Sequence, residues 1–156
     1  QQKRAKTGQP WYPGDEVNLG IGQGDLLITP LQLANAYSTF VARQLRTPTV
    51  LASETSTPKG DLPLDDAQWN HLMSGLRLVT SARGTASAAF ALAGYTDFAG
   101  KSGTAEDVGA QQHVLFVAMS PAAQPGAVAA VVLDEGQSGS IEAGPIARDI
   151  ILAALR

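Results

Sequence analysis

The chain has 156 residues, of which 44% are hydrophobic and 16% charged, with a formal net charge of −3. That length suits one domain with a buried core, and the slight acidity gives no electrostatic reason to expect nucleic acid or an anionic membrane surface. No run reaches the roughly 18 apolar residues of a membrane span, and with no Cys and two well-separated His, neither a disulfide, a thiolate nor a metal site is expected.

Residues 1–28 read as a loop-rich lead-in, punctuated by Pro10, Pro13, Gly14, Gly20, Gly22 and Gly24. The chain opens Gln1-Gln2-Lys3-Arg4 without a Met and without an apolar stretch behind it. No signal peptide is expected there, and the chain is expected to begin partway through a longer gene product. A helix is predicted near 30–43: Thr29 is the N-cap, Pro30 takes the first helical position and Gln32 completes a capping box. Leu33, Ala34, Tyr37 and Val41 then share one face.

Residues 44–63 read as extended and irregular. A second helix is predicted over 65–81, capped by Asp65 with Gln68 three residues on, its apolar face made of Trp69, Leu72, Met73, Leu76 and Val79. Gly84 ends or interrupts it, and the Ala-rich stretch 84–92 reads as a short helix. Three strand candidates follow: 97–106, the apolar run 112–120 ending at Pro121, and 127–134 after the turn Gln124-Pro125-Gly126. Short connections make them an antiparallel meander over 97–134. A final helix is predicted over 145–155 from Pro145, with Ile146, Ala147, Ile150, Ile151 and Ala154 on one side. The fold class is α+β.

Gly100-Lys101-Ser102-Gly103-Thr104 is the most informative segment. It offers one cation and two hydroxyls around a residue with no side chain, a set suited to a carboxylate and a developing oxyanion. It is not a phosphate-binding loop, because the first Gly would have to stand at position 95, which is Tyr95. On a strand, Lys101 and Gly103 face one way and Ser102 and Thr104 the other, and Gly103 permits close approach of a backbone or ligand. A strand-end turn is the plainer alternative.

Other motifs are weaker. Gly20-Ile21-Gly22-Gln23-Gly24 lacks dinucleotide-binding spacing and a preceding strand. Ser56-Thr57-Pro58-Lys59 fits Ser-x-x-Lys, a pattern that needs a buried helical turn; Pro58 opposes one, and the neighbours are polar. Lys6-Thr7-Gly8 sits in a polar end with no apolar strand around it.

In order, Trp11-Tyr12-Pro13-Gly14-Asp15, Gly20 to Gly24, Thr29-Pro30-Leu31-Gln32-Leu33-Ala34, Gly84-Thr85-Ala86, Gly100 to Glu106 and Ala143-Gly144-Pro145-Ile146-Ala147-Arg148 resemble the C-terminal half of the transpeptidase domain of penicillin-binding proteins. The likeness is to the monofunctional, elongation-type class and runs from about residue 10 to the C-terminus. It implies a partial penicillin-binding, serine β-lactamase-like fold, with residues 1–156 as the C-terminal part of that domain. It also implies acyl transfer: a Ser attacks the D-Ala-D-Ala amide of a peptidoglycan stem peptide, and the amine of a second stem resolves the acyl-enzyme. β-Lactams would acylate the same Ser.

On this likeness Lys101 and Thr104 carry the catalytic roles. Lys101 supplies positive potential, and the Thr104 N–H is one of two oxyanion donors. Ser102, Gly103 and Thr104 bind substrate: the two hydroxyls hold its terminal carboxylate, and Gly103 leaves room for the acyl group. No cofactor is implied. The family's nucleophile motif and its Ser-x-Asn motif are absent, since Asn18, Asn35 and Asn70 follow Glu16, Leu33 and Gln68 at that spacing. The chain alone is therefore expected to be inert, with an N-terminal half of the domain as its missing partner and self-association through the face that half would cover. A charged content below the usual quarter or so fits a covered surface.

The resemblance places the parent in the bacterial cell envelope, an extracytoplasmic domain on an inner-membrane anchor. A D,D-carboxypeptidase or β-lactamase relative, or a non-catalytic muropeptide-sensing domain, are the other readings.

Overall fold

A computed structural model of the chain describes all residues other than 1, 25, 52 and 107–111. The elements run α1 (Gln2–Thr7), α2 (Pro13–Gly20), α3 (Pro30–Ala42), β1 (Gln44–Arg46), β2 (Pro58–Asp61), α4 (Asp66–Thr80), β3 (Ala99–Glu106), β4 (Gln112–Ser120), β5 (Ala127–Leu133) and α5 (Gly144–Ala154). The mixed α+β class and the meander are as the sequence indicates: β3, β4 and β5 form one antiparallel sheet in that order.

Both capping boxes form. Gln32 N–H donates to Thr29 Oγ1 at 3.2 Å and Thr29 N–H to Gln32 Oε1 at 2.8 Å. Gln68 N–H donates to Asp65 Oδ1 at 2.8 Å and Asp65 N–H to Gln68 Oε1 at 3.0 Å. Each pair satisfies two backbone donors that a helix start otherwise leaves open.

Two expectations are corrected. The lead-in 1–28 is not mainly loop, for it holds α1 and α2. Asp15 accepts the Tyr12 N–H at 2.8 Å and the Lys3 Nζ at 2.6 Å, which starts α2 and ties α1 to it. No residue of α2 is buried, so an apolar stripe, the usual signature of a helix, is missing from its sequence. The stretch 84–92 is not an α-helix. It is a chain of turns, with Ala86 N–H donating to Val79 O at 2.9 Å, followed by a single 3-10 turn at Ala91–Ala93. Its alanines serve close packing: Ala86 and Ala89 are buried beside Phe90, against the sheet and α5.

Within 44–63, β1 and β2 pair as a small antiparallel ribbon. The main sheet is packed on both faces. Phe90, Phe98, Phe116, Val131 and Ile151 make the larger core on the α5 side, where the Phe90 ring stacks on Phe116 with centroids 5.4 Å apart. Met73, Ala99 and Met119 make the smaller core on the side of α3 and α4. Arg43 at the end of α3 pairs with Asp66 and lies over the Trp69 ring, 4.6 Å from its centroid.

Candidate functional site

The site is built on β3, which among the described residues is an outer strand paired with β4 alone. Its register with β4 runs from Ala99↔Met119 to Glu106↔Gln112 without a shift. Side chains therefore alternate: Lys101, Gly103 and Ala105 share a face with Val117, Leu115 and His113, while Ser102 and Thr104 take the other.

Two hydrogen bonds show which backbone groups face outward. Lys101 Nζ donates to Ser102 O at 2.6 Å, and Gln23 Nε2 donates to Thr104 O at 3.1 Å. Both carbonyls lie on the edge away from β4. In an antiparallel ladder a residue's N–H and C=O point the same way, so the Thr104 N–H lies on that outer edge as well. The edge borders a cavity of about 770 Å³ between the 21–29 segment, α3 and the sheet. Lys101, Ser102, Gly103 and Thr104 all line it, with His113 and Tyr37. The four predicted residues are thus brought together at one opening.

Lys101 is exposed, and among the described residues it makes no ion pair. It also lines a second, smaller cavity between α3 and α4, beside Tyr37 and Leu76. Burial of Tyr37 pushes its phenol above the ordinary tyrosine value. Tyr37 counts as a core residue of α3 by sequence; only the packing shows that it lines both cavities next to Lys101. The room expected at Gly103 is already used on one face: a Cβ there would come 2.7 Å from Leu115 Cδ1.

The wide helical turn Gly139–Ala143 packs against β3 and β4 just before α5. It is braced by Glu142, whose Oε1 accepts the N–H groups of Gln137 at 2.7 Å and Ser138 at 2.8 Å. These two donors hold the Glu142 carboxyl below its ordinary value. A depressed folded-state pKa means that the stabilisation is complete above the ordinary glutamate value and is lost as pH falls through the lower, folded value. Glu142→Gln should therefore melt below the native protein at neutral pH and converge with it in acid, as thermal melts across pH will show.

The Ser-x-x-Lys lookalike is elsewhere. Ser56 Oγ donates to Thr47 O at 2.8 Å in the connection between β1 and β2, and β2 begins at Pro58, so no helical turn joins Ser56 to Lys59. Neither residue lines the cavity. Lys6-Thr7-Gly8 falls at the end of α1, not on a strand.

An outer strand thus presents a cation, two hydroxyls and an outward N–H to a cavity bounded by the 21–29 segment, α3 and the sheet, a set suited to an anionic ligand. The family model of the penicillin-binding protein transpeptidase domain matches residues 1–152. The chain is 32% identical to the peptidoglycan D,D-transpeptidase MrdA of Haemophilus influenzae, over 97% of this chain and 27% of that protein. It is 29% identical to MrdA of Escherichia coli K12, over 97% of this chain and 28% of that protein. A crystal structure of Pseudomonas aeruginosa PBP2 in complex with WCK 5153 superposes with a TM-score of 0.79 at 34% identity, over 99% of this chain and 36% of that one. The chain belongs to the penicillin-binding protein transpeptidase domain family, of the elongation type. It spans about a quarter of the length of the curated relatives it matches.

Proposed function

We propose that this chain forms the carboxylate- and oxyanion-binding side of a serine-type D,D-transpeptidase cleft within a longer cell-wall cross-linking enzyme. The observation that carries this reading is the placement of Lys101 to Thr104 on the outer edge of the sheet at its large cavity. The nucleophilic Ser comes from another part of the enzyme and enters that cavity from the open side. It attacks the penultimate D-Ala carbonyl of a stem peptide, and the terminal D-Ala leaves as its amine is protonated. The amine of a neighbouring stem then attacks the acyl-enzyme and restores the Ser hydroxyl.

Each residue has a part. The Lys101 ammonium supplies positive potential at the cleft and raises the anionic character of the nucleophile. The hydroxyls of Ser102 and Thr104 hold the substrate's terminal carboxylate, or that of a β-lactam. The Thr104 N–H donates to the oxyanion, with the nucleophile's own N–H as the second donor. The apolar side chains exposed along the lead-in and the start of α3, among them Val17, Ile21, Leu27 and Leu31, support a surface that the rest of the domain covers. The enzyme works in the bacterial cell envelope, outside the inner membrane that anchors it. The 156-residue chain alone is inert.

Labelling with a fluorescent penicillin tests this. The complete parent protein should be labelled one to one, and the isolated chain not at all. Covalent labelling of the isolated chain overturns its inertness, and a parent that stays unlabelled overturns the transpeptidase reading.

A further inference from the structure

Tyr37 carries a polar group that the roles above leave unused. On α3 it packs with Phe40 and Val41 against the small core of Met73, Ala99 and Met119. Phe40 packs there with no hydroxyl, so packing does not require a phenol at position 37. A hydroxyl drawn out of water without a partner costs stability. Among the described residues the Tyr37 hydroxyl makes no hydrogen bond. No sealed-in side-chain oxygen or nitrogen among those residues lacks a partner, so this oxygen is accessible from a cavity.

Two cavities meet the Tyr37 side chain. One is the large opening of about 770 Å³, and the other is the smaller one of about 480 Å³ between α3 and α4. Tyr37 and Lys101 are the two lining residues that these cavities share. The rest of the smaller cavity, with Phe40, Leu72, Leu76 and Val79 among its lining, offers no polar side-chain atom. The phenol is therefore the one polar side-chain group there that can meet the ammonium.

Their chemistry is complementary. An ammonium has three donors and no acceptor. Lys101 uses one donor on Ser102 O at 2.6 Å, which leaves two. A phenol oxygen accepts, and burial pushes the Tyr37 phenol above the ordinary tyrosine value, so it stays a neutral hydroxyl at physiological pH. The lysine charge rides on a flexible four-carbon stem with many rotamers, and a second tie would narrow them.

We infer that Tyr37 is a positioning residue for acyl transfer: its hydroxyl accepts a hydrogen bond from the Lys101 ammonium and fixes that charge where the two cavities meet. This rests on the transpeptidase reading above. Tyr37 acts through Lys101 and touches neither substrate nor nucleophile in this role. Its effect belongs to the acylation step and not to ligand capture.

The experiment uses the complete parent protein with Tyr37→Phe, Lys101→Ala and the two combined. Tyr37→Phe removes one oxygen and keeps the ring that packs on the core. Stopped-flow acylation by a fluorescent penicillin gives the limiting rate and the pre-acylation dissociation constant, each referred to reactive sites counted by titration. Tyr37→Phe should acylate about tenfold more slowly, the size of one hydrogen bond to a charged group. Its dissociation constant and melting temperature should stay close to native. Added to Lys101→Ala, the same substitution should change the rate by less than about twofold, because the partner is already gone. A native rate in Tyr37→Phe overturns the inference. So does an equal loss with and without Lys101, which would show that the hydroxyl acts independently of the lysine. So does a fall in melting temperature or reactive fraction with an unchanged rate per reactive site, the mark of a purely structural hydroxyl. An unsubstituted parent that does not acylate overturns the transpeptidase reading together with this one.

Discussion

Lys101→Ala in the complete parent protein is expected to slow β-lactam acylation by on the order of 10²-fold or more, the scale of losing a charged group that assists proton transfer at a nucleophile. Lys101 stands alone at the opening: among the described residues no carboxylate pairs with it, and its Nζ rests on the Ser102 carbonyl. A lysine that serves structure is usually paired or solvated away from a cavity, whereas this one lines two. Its removal should cost little stability, because an exposed side chain with one backbone contact contributes little to the fold. Lys101→Arg should recover only part of the rate, since a planar fork does not replace a compact ammonium. Acylation rates measured beside melting temperatures check this, and a native rate in Lys101→Ala removes Lys101 from the proposed chemistry.

Gly84→Ala is expected to destabilise the fold by about 3 kcal/mol, at the upper end of what overpacking usually costs. A Cβ at Gly84 would fall on the carbonyl oxygens of Leu78 and Val79, the last turn of α4. These are backbone atoms and cannot swing aside as a side chain can. The Gly84 N–H also donates to Ser81 O at 2.9 Å, and Ala86 N–H to Val79 O at 2.9 Å, so the chain is held tightly against the helix end. Gly75 is the control. It lies inside α4 with nothing within 4 Å of an added Cβ, so Gly75→Ala should stabilise by about 0.5–1 kcal/mol through helix propensity. Urea midpoints of the two variants should move in opposite directions; a shared direction would refute the packing account.

The sites that sequence makes legible are those with a local cause. Thr29 with Gln32, and Asp65 with Gln68, announce helix starts because each box closes within three residues. The run at 112–120 reads as a strand because it is buried on both faces over most of its length, and the run at 127–134 because it is apolar and follows a turn, although only Ala129 and Val131 in it are buried. Lys101 to Thr104 stands out by composition alone. In contrast, α2 buries nothing and lacks an apolar stripe, and although Asp15 caps its start locally through the Tyr12 N–H, its tie to α1 depends on Lys3 reaching Asp15 twelve residues away. At 84–92 the alanines mimic helix propensity, yet their small size answers to close packing under α5.

Local rules, then, settle where most of the helices and strands begin, and that one segment carries a cation and two hydroxyls around a glycine. Only the tertiary structure decides that β3 lies at the edge of the sheet, so that alternate peptide groups of this segment face a cavity and not another strand. It also decides that Leu115 takes the space beside Gly103 and that Gln23 reaches Thr104. The reason is physical. Capping and periodicity act over a few residues along the chain, whereas the outward direction of an N–H depends on which strand lies beside it, and that neighbour is chosen by contacts distant in sequence.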